Sequence, residues 1–155
     1  MKKLGGILIV LLLFSGCNAF KGNLDPTGTY SFGLRPMGEE DSGIGYNGLI
    51  QVIGIGNNKI AMTFEVNKGA PSYNSGSFVD TLAYADNRSI FTIPAIDPSC
   101  RITFEFDRKG VEVNEEADNL NSACGFGNAV VAKGYFKKVS KKKPVLKAPL
   151  TGETL

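Results

Sequence analysis

Apolar and polar side chains alternate with a period of two through most of this chain, the mark of strands with one buried face. Ile60, Met62, Phe64 and Val66 alternate with Lys59, Ala61, Thr63 and Glu65. Cys100, Ile102, Phe104 and Phe106 alternate with Arg101, Thr103 and Glu105, a phase that puts Cys100 on the apolar face. Tyr30, Phe32 and Leu34 are in phase over Thr27 to Leu34, whereas Gly48 to Ile55 is apolar on both phases, as in a strand buried on both sides or packed under a loop. Further strands are predicted over Ser77 to Tyr84, Ser89 to Ile93, Val111 to Val113 and Ala129 to Val139. Gly56-Asn57-Asn58 and Asp107-Arg108-Lys109-Gly110 supply residues that suit tight hairpin turns, where positive φ is common. Pro94 and Pro98 remove ladder donors, so Ile93 to Ser99 reads as a loop or sheet edge. No segment has a helical period, and Glu115 to Asn121 is at most one short turn.

The pattern predicts an all-β domain over 27–139, a small antiparallel barrel of about eight strands, lipocalin-like, or a related sandwich. A barrel of that strand number has an interior just filled by side chains or able to hold one small ligand. Beyond Ser140 the alternation stops at Lys141-Lys142-Lys143-Pro144, and 140–155 reads as a basic disordered tail.

The beginning of the chain has a different character. Lys2 and Lys3 precede an apolar run from Leu4 to Phe14, and Ser15-Gly16-Cys17 comes next. That run is well short of the roughly 20 residues of a membrane-spanning helix and reads as the core of an export signal. Leu13-Phe14-Ser15-Gly16-Cys17 resembles the lipobox of bacterial lipoproteins, with Phe14 where leucine is commoner. The resemblance implies a signal peptide over 1–16, acylation of Cys17 by chains such as palmitate, and a lipidated tether over 17–26. In that family an aspartate after the cysteine favours the inner membrane, so Asn18 implies an outer-membrane anchor, periplasm-facing.

Without residues 1–16 the 17 basic residues fall to 15 through loss of Lys2 and Lys3, and they balance 15 acidic ones. The balance hides an asymmetry. Lys137, Lys138, Lys141, Lys142, Lys143 and Lys147 lie at the end, leaving an acidic body with a basic tail. The lysines could meet anionic lipid headgroups or an envelope polymer, or simply solubilise the tail; nucleic acid is not an expected partner of an exported protein.

With Cys17 acylated, Cys100 and Cys124 are the remaining thiols, and an oxidising compartment favours pairing them. Histidine is absent, which removes the usual general base, the Ser-His and Cys-His pairs and the commonest metal ligand. No enzyme, cofactor or metal site is therefore expected. Gly43-Ile44-Gly45 and Gly54-Ile55-Gly56 lack the lysine and the strand-to-helix context of a phosphate loop. Glu39-Glu40-Asp41 and Glu115-Glu116-Ala117-Asp118 lack calcium-loop spacing and read as solvated charge.

Two loops have the composition of binding edges. Gly69-Ala70-Pro71-Ser72-Tyr73-Asn74-Ser75-Gly76 mixes tyrosine with small polar residues, as adaptable recognition loops do, which makes Tyr73 and Asn74 candidates. Cys124-Gly125-Phe126-Gly127-Asn128 would hold a glycine-flanked aromatic beside a disulfide, which adds Phe126. For each the alternative is a turn with a packed aromatic.

These two loops, the Cys100 strand and the closing Gly134-Tyr135-Phe136-Lys137-Lys138 resemble small exported bacterial β-domain proteins with no activity attached to them. In size, anchoring and single disulfide the chain is also similar in style to periplasmic lysozyme-inhibitor lipoproteins, though it contains no tryptophan. The expectation is a non-enzymatic envelope lipoprotein that binds a protein partner, as an inhibitor of an exported hydrolase or an immunity protein against one. A carrier of a small apolar ligand and a structural envelope lipoprotein are the alternatives.

Overall fold

The computed structural model describes residues 23–33 and 44–154. The leader, Cys17, Leu34 and Glu39-Glu40-Asp41 lie outside the described residues. Eight strands run in order: β1 (Gly28–Phe32), β2 (Ile44–Gly56), β3 (Lys59–Gly69), β4 (Ser75–Ala83), β5 (Arg88–Ile93), β6 (Asp97–Phe106), β7 (Gly110–Glu116) and β8 (Gly134–Ser140). One 3₁₀ turn, Ala123–Gly125, interrupts the connection between β7 and β8. All pairings are antiparallel and the sheet order is β4-β3-β2-β1-β8-β7-β6-β5. The sheet curls until its two edges meet, giving a nearly closed barrel. At that seam Phe78 of β4 stacks on Phe91 of β5 with ring centroids 3.8 Å apart.

Alternation decides the interior. Ile60, Met62, Phe64 and Val66 of β3 and Cys100, Ile102, Phe104 and Phe106 of β6 are all buried, the two phases seen in the sequence. Phe64 sits at the centre, its ring centroid 5.3 Å from Phe78, 5.6 Å from Phe104 and 6.1 Å from both Phe126 and Phe136. Packed aromatics thus occupy the centre of the barrel. The Gly56-Asn57-Asn58 turn joins β2 to β3 with φ of 51° at Asn57 and 54° at Asn58, the paired left-handed geometry that hairpin twist favours.

Both ladder ends differ from the sequence-based expectation. Ala129 to Lys133, expected within the last strand, is loop: Tyr46 Oη donates to the Ala129 carbonyl at 2.8 Å and accepts the Val131 N–H at 3.3 Å. Side chains thus satisfy backbone groups that a ladder would otherwise pair. The strand at 111–113 instead continues to Glu116, and β6 starts at Asp97 with Pro98 near its open beginning.

The chain after β8 corrects the expectation of a disordered tail over 140–155. Leu146 is buried, Ala148 N–H donates to the Glu153 carbonyl at 2.8 Å, and Gly152 N–H donates to the Ala148 carbonyl at 2.8 Å. This turn lies against the outer side of β2 and β3, across a cleft lined by Leu49, Gln51, Thr63 and Glu65. It accounts for the doubly apolar phase of β2: Ile50 and Val52 face the core while Leu49 lies under the C-terminal turn.

The leading segment is also part of the fold. Tyr30 Oη donates to the Pro26 carbonyl at 2.5 Å and Tyr84 Oη to the Leu24 carbonyl at 2.9 Å. Asn87 closes the contact from the β4–β5 turn, its Oδ1 accepting the Leu24 N–H at 2.7 Å and its N–H donating to Asn23 Oδ1 at 3.2 Å. Asn23 to Thr27 therefore forms a strap across one end of the barrel.

Candidate functional site

Antiparallel connectivity sorts the connections between the two ends. The strap, the β2–β3, β4–β5 and β6–β7 turns and the exit of β8 share one end. The β3–β4, β5–β6 and β7–β8 connections share the other, here called the rim.

Among the described residues, the rim is built from three stitched loops. In the first, Tyr73 N–H donates to the Gly69 carbonyl at 2.8 Å and Lys68 N–H to the Asn74 carbonyl at 2.9 Å. The Ala70–Pro71 bond in this loop is cis, and Tyr73 has a left-handed φ of 50°. Bulky side chains seldom occupy that region, so the loop contacts hold the backbone there against its own preference. The Tyr73 side chain is left 68% exposed.

The second loop binds the first. Asn74 Nδ2 donates to the Asn128 carbonyl at 3.0 Å and Gly127 N–H to the Ser75 carbonyl at 2.9 Å. Cys100 and Cys124 are bonded at 2.08 Å with their Cα atoms 5.1 Å apart, which fastens the same loop to β6. Asp97 adds a second fastening. Its Oδ2 accepts the Cys124 N–H at 3.0 Å, and its Oδ1 accepts Ser99 Oγ at 2.7 Å and Ser99 N–H at 3.0 Å. The Ser99 hydroxyl first, then the Cys124 N–H, hold the Asp97 carboxyl below its usual range, against the opposing effect of burial.

Phe126 packs inward as a plug. It is half-buried and stacks toward Phe64 with an interplanar angle of 24°. Gly76 makes this possible: a Cβ there would collide with Phe126 Cγ, so any side chain would displace the ring. Asn74 likewise uses its amide to hold the loops together. Of the three residues singled out by composition, Tyr73 is the one whose side chain faces outward.

The structure adds two neighbours that the sequence did not mark. Ile96, in the β5–β6 turn, is 64% exposed and lies beside Gly125, where an added Cβ would meet Ile96 Cγ2 at 3.2 Å. Leu120, in the β7–β8 connection, is also exposed. Both are single apolar residues in turns, outside any alternation that would have made them stand out.

Beneath the rim lies Glu115, 6% exposed. Its Oε2 accepts the Ala132 N–H, while its Oε1 has no partner. Burial pushes the carboxyl above its usual range, the Ala132 hydrogen bond opposes this, and the Asp97 charge adds to it. Among the described residues no three His, Cys, Asp or Glu side chains gather as a metal site would require. Comparison with family models, with curated proteins and with solved structures gives no match.

Proposed function

We propose that this chain is an envelope lipoprotein, anchored through Cys17 at the outer membrane, whose barrel binds a protein partner at the rim. The observation that carries the reading is the combination of exposed Tyr73 and Ile96 with a framework of disulfide, Asp97 bonds and inter-loop bonds that fastens the loops bearing them. Rigid, exposed aromatic and apolar side chains bind at low entropic cost because little is left to order. Outside the basic tail the body carries more acidic than basic residues, so a basic partner would be steered to it. A basic exported hydrolase, inhibited or neutralised by the bound lipoprotein, is the concrete form of the proposal. The packed interior around Phe64 weighs against the alternative of a ligand carried inside the barrel.

The test is affinity capture from envelope extract by the chain starting at residue 17 with Cys17→Ser, in parallel with Tyr73→Ala and Ile96→Ser versions. A partner retained at low salt, weakened by added salt and lost from both variants supports the reading. Equal retention by all three chains, or none by any, defeats it. The anchor is tested separately by intact mass of the natural product, where an unmodified Cys17 defeats that part alone.

A further inference from the structure

The end opposite the rim carries its own chemistry. Lys59, Arg108, Lys109, Lys138, Lys141, Lys142 and Lys143 border it, against Asp25, Asp86 and Asp107. Two of those carboxylates hydrogen-bond to neutral donors of the fold and keep their charge, but the cations outnumber all three. Asp107 Oδ1 accepts the Lys109 and Gly110 N–H groups and Asp107 is bonded to Tyr135 Oη at 3.0 Å, and Asp25 Oδ1 accepts the Thr27 N–H at 2.9 Å. A cleft of about 320 Å³ opens there, lined by Leu24, Thr27, Arg108, Lys138 and Lys141 beside Asp25 and Asp107. Lys138 Nζ lies 5.2 Å from the Tyr30 ring centroid and 3.4 Å from the Asp25 carbonyl oxygen. Exposed Ile55 and Val139 flank the cations at the same end.

From this we infer that the strap end is a membrane-docking face, its cations seated on the phosphates of anionic phospholipids and the Arg108–Lys138–Lys141 cleft taking one headgroup. Charge complementarity and chain length both point this way. The inference about orientation rests on the reading of Cys17 as the anchor. Asn23 is already bound to the barrel, so only residues 18–22 separate the fold from Cys17, and a stretch of that length reaches at most about 20 Å when fully extended. An anchored barrel is thereby held with its basic end within reach of the headgroups and its rim facing away. Cations with exposed aliphatic neighbours suit an interface where phosphate and acyl chain meet. Burial first, then Lys141, depresses the Lys138 pKa against the opposing pull of Asp25, and a phosphate in the cleft would raise it.

The test uses the chain from residue 17 with Cys17→Ser, which lacks any lipid, so its outcome is independent of whether Cys17 is acylated. Sedimentation is followed with vesicles of phosphatidylglycerol mixed into phosphatidylcholine and with phosphatidylcholine alone. Binding to the anionic vesicles alone, falling as salt rises, is expected. Lys141→Glu, Lys142→Glu and Lys143→Glu together should lower the partition coefficient on the order of a hundredfold or more, from roughly fivefold per lysine charge. Arg108→Gln with Lys138→Gln, at exposed and half-exposed positions, should give a smaller loss, and unchanged melting temperatures would show both variants folded. Equal binding to both vesicle types, no loss in either variant, or displacement by millimolar inorganic phosphate at constant ionic strength would overturn the inference.

Discussion

The two ends of this barrel are closed by different means. At the strap end, main-chain carbonyls of Leu24 and Pro26 meet the hydroxyls of two buried tyrosines, Tyr84 and Tyr30. At the rim, an aromatic plug, Phe126, enters between loops that a disulfide and the Asp97 carboxylate hold in place. The first end uses a short strap and leaves cations around it; the second uses a long connection and leaves Tyr73 and Ile96 outside. The two ends of the barrel are thus chemically unlike.

Breaking the disulfide should have the largest effect on that contrast. Cys100 and Cys124 are 24 residues apart, so Cys100→Ala with Cys124→Ala should lower unfolding free energy by about 3 kcal/mol in the chain-entropy model, read by urea denaturation. Partner binding at the rim should fall with it while vesicle binding at the strap end stays. Gly76→Ala comes next: the ring of Phe126 must move, at about 1–3 kcal/mol for an overpacked core, and Phe126→Ala in the same chain should recover part of the stability lost to the clash. Equal effects of Gly76→Ala with and without Phe126 would show that the plug is not the cause.

Tyr84→Phe removes the bond to the Leu24 carbonyl and should cost about 1 kcal/mol, with faster amide exchange at Leu24 and Asn87 but not at the rim. Burial raises the Tyr84 phenol to about 12, so the hydroxyl remains a donor across any pH the envelope meets. Smaller still is a pH effect with opposite signs in two carboxyls. Glu115 is raised in the native state, so it stabilises the fold at low pH and that contribution is lost as pH rises from the ordinary glutamate range through the raised value. Asp97 is lowered, so its contribution is present above the ordinary aspartate range and is lost as pH falls below it. Glu115→Gln should flatten the fall of melting temperature above the ordinary glutamate range, and Asp97→Asn should remove part of the fall in acid. Tyr73→Ala should change stability least, within about 0.5 kcal/mol, because its side chain is exposed.

Much of this architecture is written in local pattern, and the exceptions have physical reasons. Alternation in β3 and β6 marks the core because a pleated strand sends successive side chains to opposite faces. It fails at Glu115, where a polar residue keeps the inward phase of β7 because its carboxylate receives the Ala132 N–H. It fails again from Ala129 to Lys133, where small apolar residues look like a strand but Tyr46 supplies the missing backbone partners from a distant element. Leu146 has no periodic neighbour to announce that it is buried. At the rim, composition led to Tyr73, Asn74 and Phe126, and the last of these turns inward. Whether a glycine-flanked aromatic points in or out depends on the room left by Gly76, far away in the chain.

The stacked Phe78 and Phe91 have a last implication. Because β4 and β5 end the sheet order, they meet through rings and share the tight turn at Asp86-Asn87, with no ladder pairing them among the described residues. Solvent finds its easiest entry into the wall there, and deuterium should enter along this line before it reaches β3 or β6. Prying the line apart would bare two strand edges at once, so Phe91→Ser should make the barrel self-associate on gentle warming.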